Sequence, residues 1–340
     1  MTRDSLPITD TGTLSNTCSN NRMISAPAQL FQARWYGVSC CRLPKGFGKY
    51  REFAIRTSRM MILSNPSPVT PFSSDSRANR LYTWASVDHK TGHDLWLRGP
   101  EEVVTQVRIL APEYRPLRLP MASSWQWTHV LRAPGSCRPD VAELLETLRV
   151  VLSLRSDRNL IVGVALDWYK KPVEGVPPNS WPNTEVGELI HRGKYWYQTD
   201  AQKQAEVGRD VVSRLCRAIQ RHPVLRQVEV ILDVPGHDSR KRVSFGSRMA
   251  DAIARNLGRD RIRVQTRDEF RPAAKSLDAA GRAAVLRDQF RVDQSLVDRV
   301  VLVVDDVLRS GDSMNEVVGV AYRAGAKRVD GICAARTLKR

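Results

Sequence analysis

Apolar residues run unbroken from Val300 to Val304 and give way to two adjacent acids, Asp305 and Asp306. A continuous run, without alternation, predicts a strand buried on both faces of a parallel sheet. After Val307 and Leu308 comes a short polar stretch, Arg309 to Ser313. Helical spacing then covers about Met314–Ala324, with Ser313 as the expected N-cap and Gly325 as the C-cap. Helices are also predicted over Val141–Val151, with Asp140 as N-cap, and over about Phe245–Asn256 and Leu277–Arg287. A long amphipathic one covers Ala201–Arg221, where Ala205, Val211, Val212, Leu215 and Ile219 share a face. Strand patterns cover Asn159–Asp167, Val228–Pro235, Ile262–Gln265 and Arg328–Cys333, and Val103–Leu110 reads as a short strand. Strands alternating with helices predict an α/β fold built on a doubly wound, mostly parallel sheet.

The patterned region is residues 140–340. Residues 1–79 are rich in Ser, Thr, Asn, Pro and Arg and contain the breaker run Asn65–Pro71, so a poorly ordered extension is expected. Its composition suits an organellar transit peptide. A start placed too far upstream accounts for it equally, with Met60, Met61 and Met121 as internal starts. Residues 80–139 carry Trp84, Trp96, Trp125 and Trp127 among arginines. Core packing is the first reading for these rings and stacking on nucleobases the second; the segment is expected to be partly ordered and has no assignable function.

A chain of 340 residues that is 42% hydrophobic can bury a large core. No run reaches the roughly 18 apolar residues of a membrane span. The cysteines, Cys18, Cys40, Cys41, Cys137, Cys216 and Cys333, form no C-x-x-C pair, which argues for reduced thiols in a cytoplasmic protein. The formal charge is +17, with arginines spread along the whole chain. Contact with polyphosphates or nucleic acid and a basic background without a specific partner are both open.

The polar stretch after the acids has its own chemistry. Gly311 permits backbone conformations that a Cβ would strain. Successive N–H groups at a helix start form an anion site, and Ser310 and Ser313 add hydroxyls. Beside them, Asp305 and Asp306 can accept hydrogen bonds from vicinal hydroxyls. A 5-phosphorylated ribose has both features. Upstream, Arg240, Lys241 and Arg242 follow a strand end, where three cations can clamp a pyrophosphate or form a solvated turn.

This segment resembles the phosphoribosyl-pyrophosphate (PRPP) signature of type I phosphoribosyltransferases: apolar strand, two acids, two apolar residues, then a hydroxyl- and glycine-bearing loop. Lys194-Tyr195, the strand ending at Val234-Pro235, the basic turn before Phe245, Leu277, Arg282, Phe290 and the closing Ala335-Arg336-Thr337 occur in the order seen in the ComF-like branch. Arg309 stands where the family has a small residue, and Asp312 where alanine is usual. The zinc-binding cysteines frequent at the ComF N-terminus are absent from the sequence.

The resemblance implies transfer of phosphoribose from PRPP to a nitrogen nucleophile, with Mg²⁺ carried mainly by PRPP and pyrophosphate released. Asp305 and Asp306 would hold the ribose hydroxyls. Arg309, Ser310, Gly311, Asp312 and Ser313 would hold the 5-phosphate, and Arg240, Lys241 and Arg242 the pyrophosphate. A closing loop over Thr266–Lys275 and an acceptor-binding hood within residues 159–200 are implied as well. A non-catalytic PRPP or phosphate sensor, or an adaptor in DNA uptake or handling, is the alternative. The homodimer state is open, and no membrane partner is expected.

Overall fold

The computed structural model describes residues 78–155, 160–196, 199–236, 243–268, 281 and 285–338. The extension expected over residues 1–79 therefore lies almost wholly outside the described residues.

In chain order, strand β1 (Ala78–Asn79) precedes the hairpin β2 (Thr83–His89) and β3 (Gly92–Arg98). Helix α1 (Glu101–Leu110), β4 (Arg115–Leu117) and β5 (His129–Pro134) follow. Next come α2 (Pro139–Val150), β6 (Leu152–Leu154), β7 (Gly163–Trp168), α3 (Glu185–His191) and α4 (Ala201–Arg221). The chain continues through β8 (Val230–Asp233), α5 (Phe245–Leu257), β9 (Asp260–Arg261), β10 (Gln265–Thr266) and β11 (Phe290–Arg291). It ends in β12 (Val300–Leu308), α6 (Asp312–Arg323) and β13 (Arg328–Arg336).

The main sheet has strand order β1-β6-β7-β13-β12-β8-β9. From β7 to β9 all pairs are parallel, and β6 and β1 add an antiparallel margin. The expected mixed α/β architecture with a mostly parallel sheet is what forms. Val301 to Val304 are completely buried, as a central strand between two helical layers requires. Even positions Leu302 and Val304 pack with α2, α4 and α5, while odd positions Val301 and Val303 pack with α6 and Phe290. A separate antiparallel sheet, β2-β3-β5-β4, lays Leu95, Leu97 and Leu131 against Val103 and Val107 of α1 and joins the α2/α4 side of the core.

Several expectations are corrected. Val103–Leu110 is helical: Val103, Val104 and Val107 are buried at helical spacing, and Glu101 and Glu102 favour a helix start. The run was too short for its period to stand out. Ala205 is exposed, because α4 buries only its second half, Val211 to Ile219. Residues 262–264 link two-residue strands instead of forming one. β7 starts at Gly163, and β13 continues to Arg336. Asp140 is not an N-cap. α2 begins at Pro139, and Asp140 accepts hydrogen bonds from Arg138. Ser313 is not one either, because Gly311 takes that place and α6 begins at Asp312.

Candidate functional site

The main sheet reverses its winding between β8 and β12. The chain leaves β8 through α5 toward β9, on one side, and leaves β12 through α6 toward β13, on the other. α5 and α6 pack on opposite faces. The C-terminal ends of strands at such a switch point open a crevice where α/β sheets bind ligands. Pairing of β8 with β12 stops at Asp233 and Val304, apart from a bond from Val234 N–H to Val304 O at 3.0 Å. β12 runs on past that point, paired with β13 at Asp305, Val307 and Leu308. The acid pair therefore sits at the mouth of the crevice.

Asp306 is bonded by a residue far away in sequence. Lys194 Nζ lies 3.0 Å from Asp306 Oδ1 and 2.9 Å from Oδ2. Burial works against the ammonium charge, but Asp306 and Asp305 outweigh it and hold the lysine pKa above its ordinary value. Asp305 accepts the Asp306 backbone N–H at 2.8 Å. Burial, and then the neighbouring Asp306 charge, push the Asp305 carboxyl up to about 7, against the pull of Lys194.

Local structure explains how Lys194 arrives there. After α3 the backbone widens into a π-helical turn, Arg192–Trp196. Such turns re-aim side chains at functional positions. Gln204 on α4 donates to Gly193 O at 2.6 Å. The Phe245 ring covers Gly193 so closely that a Cβ there would stand 2.7 Å from it. Phe245 opens α5, whose N-cap Ser244 accepts the Ser247 N–H at 3.0 Å. Gly246 in the same turn passes beside Asp306, where a Cβ would stand 3.7 Å from Oδ2.

The predicted turn forms. Gly311 takes φ +85°, a left-handed conformation suited to glycine, and α6 starts without a side-chain cap. An uncapped helix start leaves backbone donors for an anion. Arg309 is exposed, Ser310 to Ser313 are half-buried, and Asp312 is the first residue of the helix. Buried Arg336 anchors the turn from β13 by donating to Leu308 O, at 3.1 Å, and to Arg309 O. Arg240, Lys241 and Arg242 lie outside the described residues, as does most of the expected closing loop.

Three features escaped sequence reasoning. Lys194 belongs to the family resemblance, yet no local pattern pointed to Asp306. Tyr169, His191 and Tyr195 gather beside it: Tyr169 Oη and His191 Nδ1 are 3.3 Å apart, and the His191 and Tyr195 rings 5.2 Å. Burial raises the Tyr169 hydroxyl pKa. Asp233, at the end of β8, is buried and accepts from Ser247 Oγ and, at 2.7 Å, from Arg261. Its place before Val234-Pro235 was the signal available.

Among the described residues, no three His, Cys, Asp or Glu side chains gather as metal ligands. Two carboxylates, one already bonded to Lys194, fit a cation that arrives on a ligand's phosphates better than one held by protein alone. No helix among the described residues is long and apolar enough to cross a membrane.

Neither a protein-family model nor a curated protein matches the chain. Solved structures that resemble it include the phosphoribosylpyrophosphate synthetase of Mycobacterium smegmatis, at 19% identity and TM-score 0.26. That match covers 37% of this chain and 33% of the synthetase, so the chain spans about a third of that protein's length. The purine phosphoribosyltransferase of Pyrococcus horikoshii Ot3 is similar at 15% identity and TM-score 0.27, over 42% of this chain and 85% of that one.

Proposed function

We propose that the chain binds PRPP in the crevice between β8 and β12 and transfers its phosphoribosyl group to a nitrogen nucleophile. One observation carries this reading: β12 delivers Asp305 and Asp306 directly into the left-handed turn that opens α6. The backbone N–H groups of that turn receive the 5-phosphate. The ribose 2- and 3-hydroxyls donate to the two carboxylates.

As the bond from C1 to pyrophosphate breaks and the nitrogen–C1 bond forms, positive charge grows on the ribose. The carboxylates stabilise that charge at close range. Lys194 holds the Asp306 carboxylate in place through its ion pair, and Arg240, Lys241 and Arg242 meet the pyrophosphate. Mg²⁺ would arrive on PRPP's phosphates and, when bound, would supply charge neutralisation of the leaving pyrophosphate. A flat acceptor has an aromatic surface in Tyr169, His191 and Tyr195.

The test is calorimetric titration of Mg-PRPP into Asp305→Asn/Asp306→Asn. Loss of binding with an unchanged circular dichroism spectrum is expected, and unchanged affinity would refute the assigned roles.

A second reading, a PRPP or phosphate sensor or a DNA-handling adaptor without turnover, is favoured by Asp312. Its carboxylate stands in the first turn of α6, where it competes with a phosphate for the helix start. Pyrophosphate release in the presence of nucleobases supports the enzyme. PRPP binding or salt-sensitive DNA binding without release supports the second reading.

A further inference from the structure

A cavity of about 680 Å³ opens at the far margin of the main sheet, where α5 ends and β9 begins. Arg255, Arg259, Arg261 and Arg263 line it, with Asp251 and Asp293. Four guanidinium groups against two carboxylates leave it electropositive. Two of the arginines are engaged in the protein. Arg261 donates to Asp233 at 2.7 Å and to Asp251 at 2.8 Å, and Arg263 to Asp251 at 2.8 Å. Arg255 and Arg259 are exposed, and one hydrogen bond from Arg259, to Arg226 O at 3.2 Å, leaves most of its donors to solvent.

Helix C-termini normally repel anions. Here Gly258 turns left-handed, its N–H takes up the Arg255 carbonyl and the Arg259 N–H takes up that of Ala254, so these terminal acceptors are already satisfied. The cavity volume is that of a small-molecule pocket and not of a groove tracking a long strand.

The geometry points to a second anion site, separate from the crevice at Asp305 and Asp306, that takes a small polyphosphate: an inorganic polyphosphate or the phosphate tail of a nucleotide. Arg255 and Arg259 supply planar forks that match phosphate oxygens in pairs. Arg261 and Arg263 stay on their carboxylates and add field. Arg261 also joins the cavity to the crevice: it bonds Asp233, Asp233 accepts from Ser247, and Ser247 N–H donates to Ser244 at the start of α5. This site stands whether or not the crevice binds PRPP.

The test titrates inorganic tripolyphosphate, and in a parallel arm ATP, into the full-length protein without PRPP. Arg255→Glu/Arg259→Glu is expected to weaken tripolyphosphate at least tenfold, because both side chains are exposed and their charges reverse. Asp305→Asn/Asp306→Asn is expected to leave this binding in place. Raising salt should weaken it, since the site is open to solvent. Tighter ATP than tripolyphosphate assigns the site to nucleotides, and equal or weaker ATP to inorganic chains. The proposal fails if Arg255→Glu/Arg259→Glu binds tripolyphosphate like the parent, or if binding is lost only in the Asp305→Asn/Asp306→Asn protein. It also fails if a single-stranded oligonucleotide displaces tripolyphosphate at far lower concentration, which would make the cavity part of a nucleic-acid surface.

Discussion

Lys194 and Asp306, 112 residues apart, meet at 2.9–3.0 Å at the end of the central strand. Both side chains are largely shielded, at 29% and 14% exposure, so the pair interacts more strongly than a surface ion pair. Lys194→Met keeps the stem and deletes the charge. It should weaken Mg-PRPP at least tenfold by calorimetry, because Asp306 loses the bond that orients its carboxylate toward the crevice. Parent-like affinity would remove Lys194 from the site.

The protonation of Asp305 makes a pH prediction. Its carboxyl is pushed up to about 7, mainly by burial and next by Asp306, from an ordinary value near 3.9. Below pH 7 it holds a proton, and a ligand needing the carboxylate must displace that proton. Mg-PRPP affinity should therefore rise by up to about tenfold per unit from pH 5 to 7 and then level off. Asp305→Asn retains only the ligand's own titration. Identical profiles for the two proteins would show that Asp305 does not titrate with binding.

Asp330 offers a separate test, of stability. It is buried in β13, accepts from Arg328 at 3.0 Å and from Val162 N–H at 3.2 Å, and burial still pushes it up to about 6. A raised carboxyl pKa means that the native state binds the proton more tightly than the unfolded chain. This contribution is present at low pH and is lost as pH rises from about 4 to 6. A two-unit shift corresponds to roughly 3 kcal/mol at most. The urea-unfolding free energy of the parent, relative to Asp330→Asn, should fall by about that much between pH 4 and 7. A difference that does not vary with pH would contradict the assignment.

Gly193 sets the distance between the π-turn and α5. Gly193→Ala places a methyl group 2.7 Å from the Phe245 ring and should cost about 1–3 kcal/mol through overpacking. It should also weaken Mg-PRPP by shifting Lys194. Adding Phe245→Leu makes room and should restore part of the affinity, giving a non-additive pair. Independent, additive effects would show that Gly193 does not position Lys194.

Local chemistry along the chain was enough to reveal the central strand, the twin acids and the turn behind them. Val300 to Val304 read as doubly buried because no polar residue interrupts them, and Gly311 marked the turn because it lacks a Cβ, in keeping with the φ of +85° it adopts. The helices followed from a period of 3.6 residues and the strands from apolar runs such as Val300–Val304, patterns that each segment carries by itself. Short segments failed for the same reason: Val103–Leu110 spans little more than two turns, too few to separate a helix from a strand, and Asp140 and Ser313 were chosen as caps by residue type although the backbone turned two positions earlier, at Arg138 and Gly311.

Folding in three dimensions decided everything that joins distant segments. Lys194 reaches Asp306 because its π-turn packs against Phe245 of α5, while Arg336 reaches the carbonyls of Leu308 and Arg309, and Arg261 reaches Asp233, because neighbouring parallel strands end side by side. Those meetings depend on strand order and on where each strand stops pairing. Hydrophobic pattern sets which face of a segment is buried, but it leaves open which segment lies next to it.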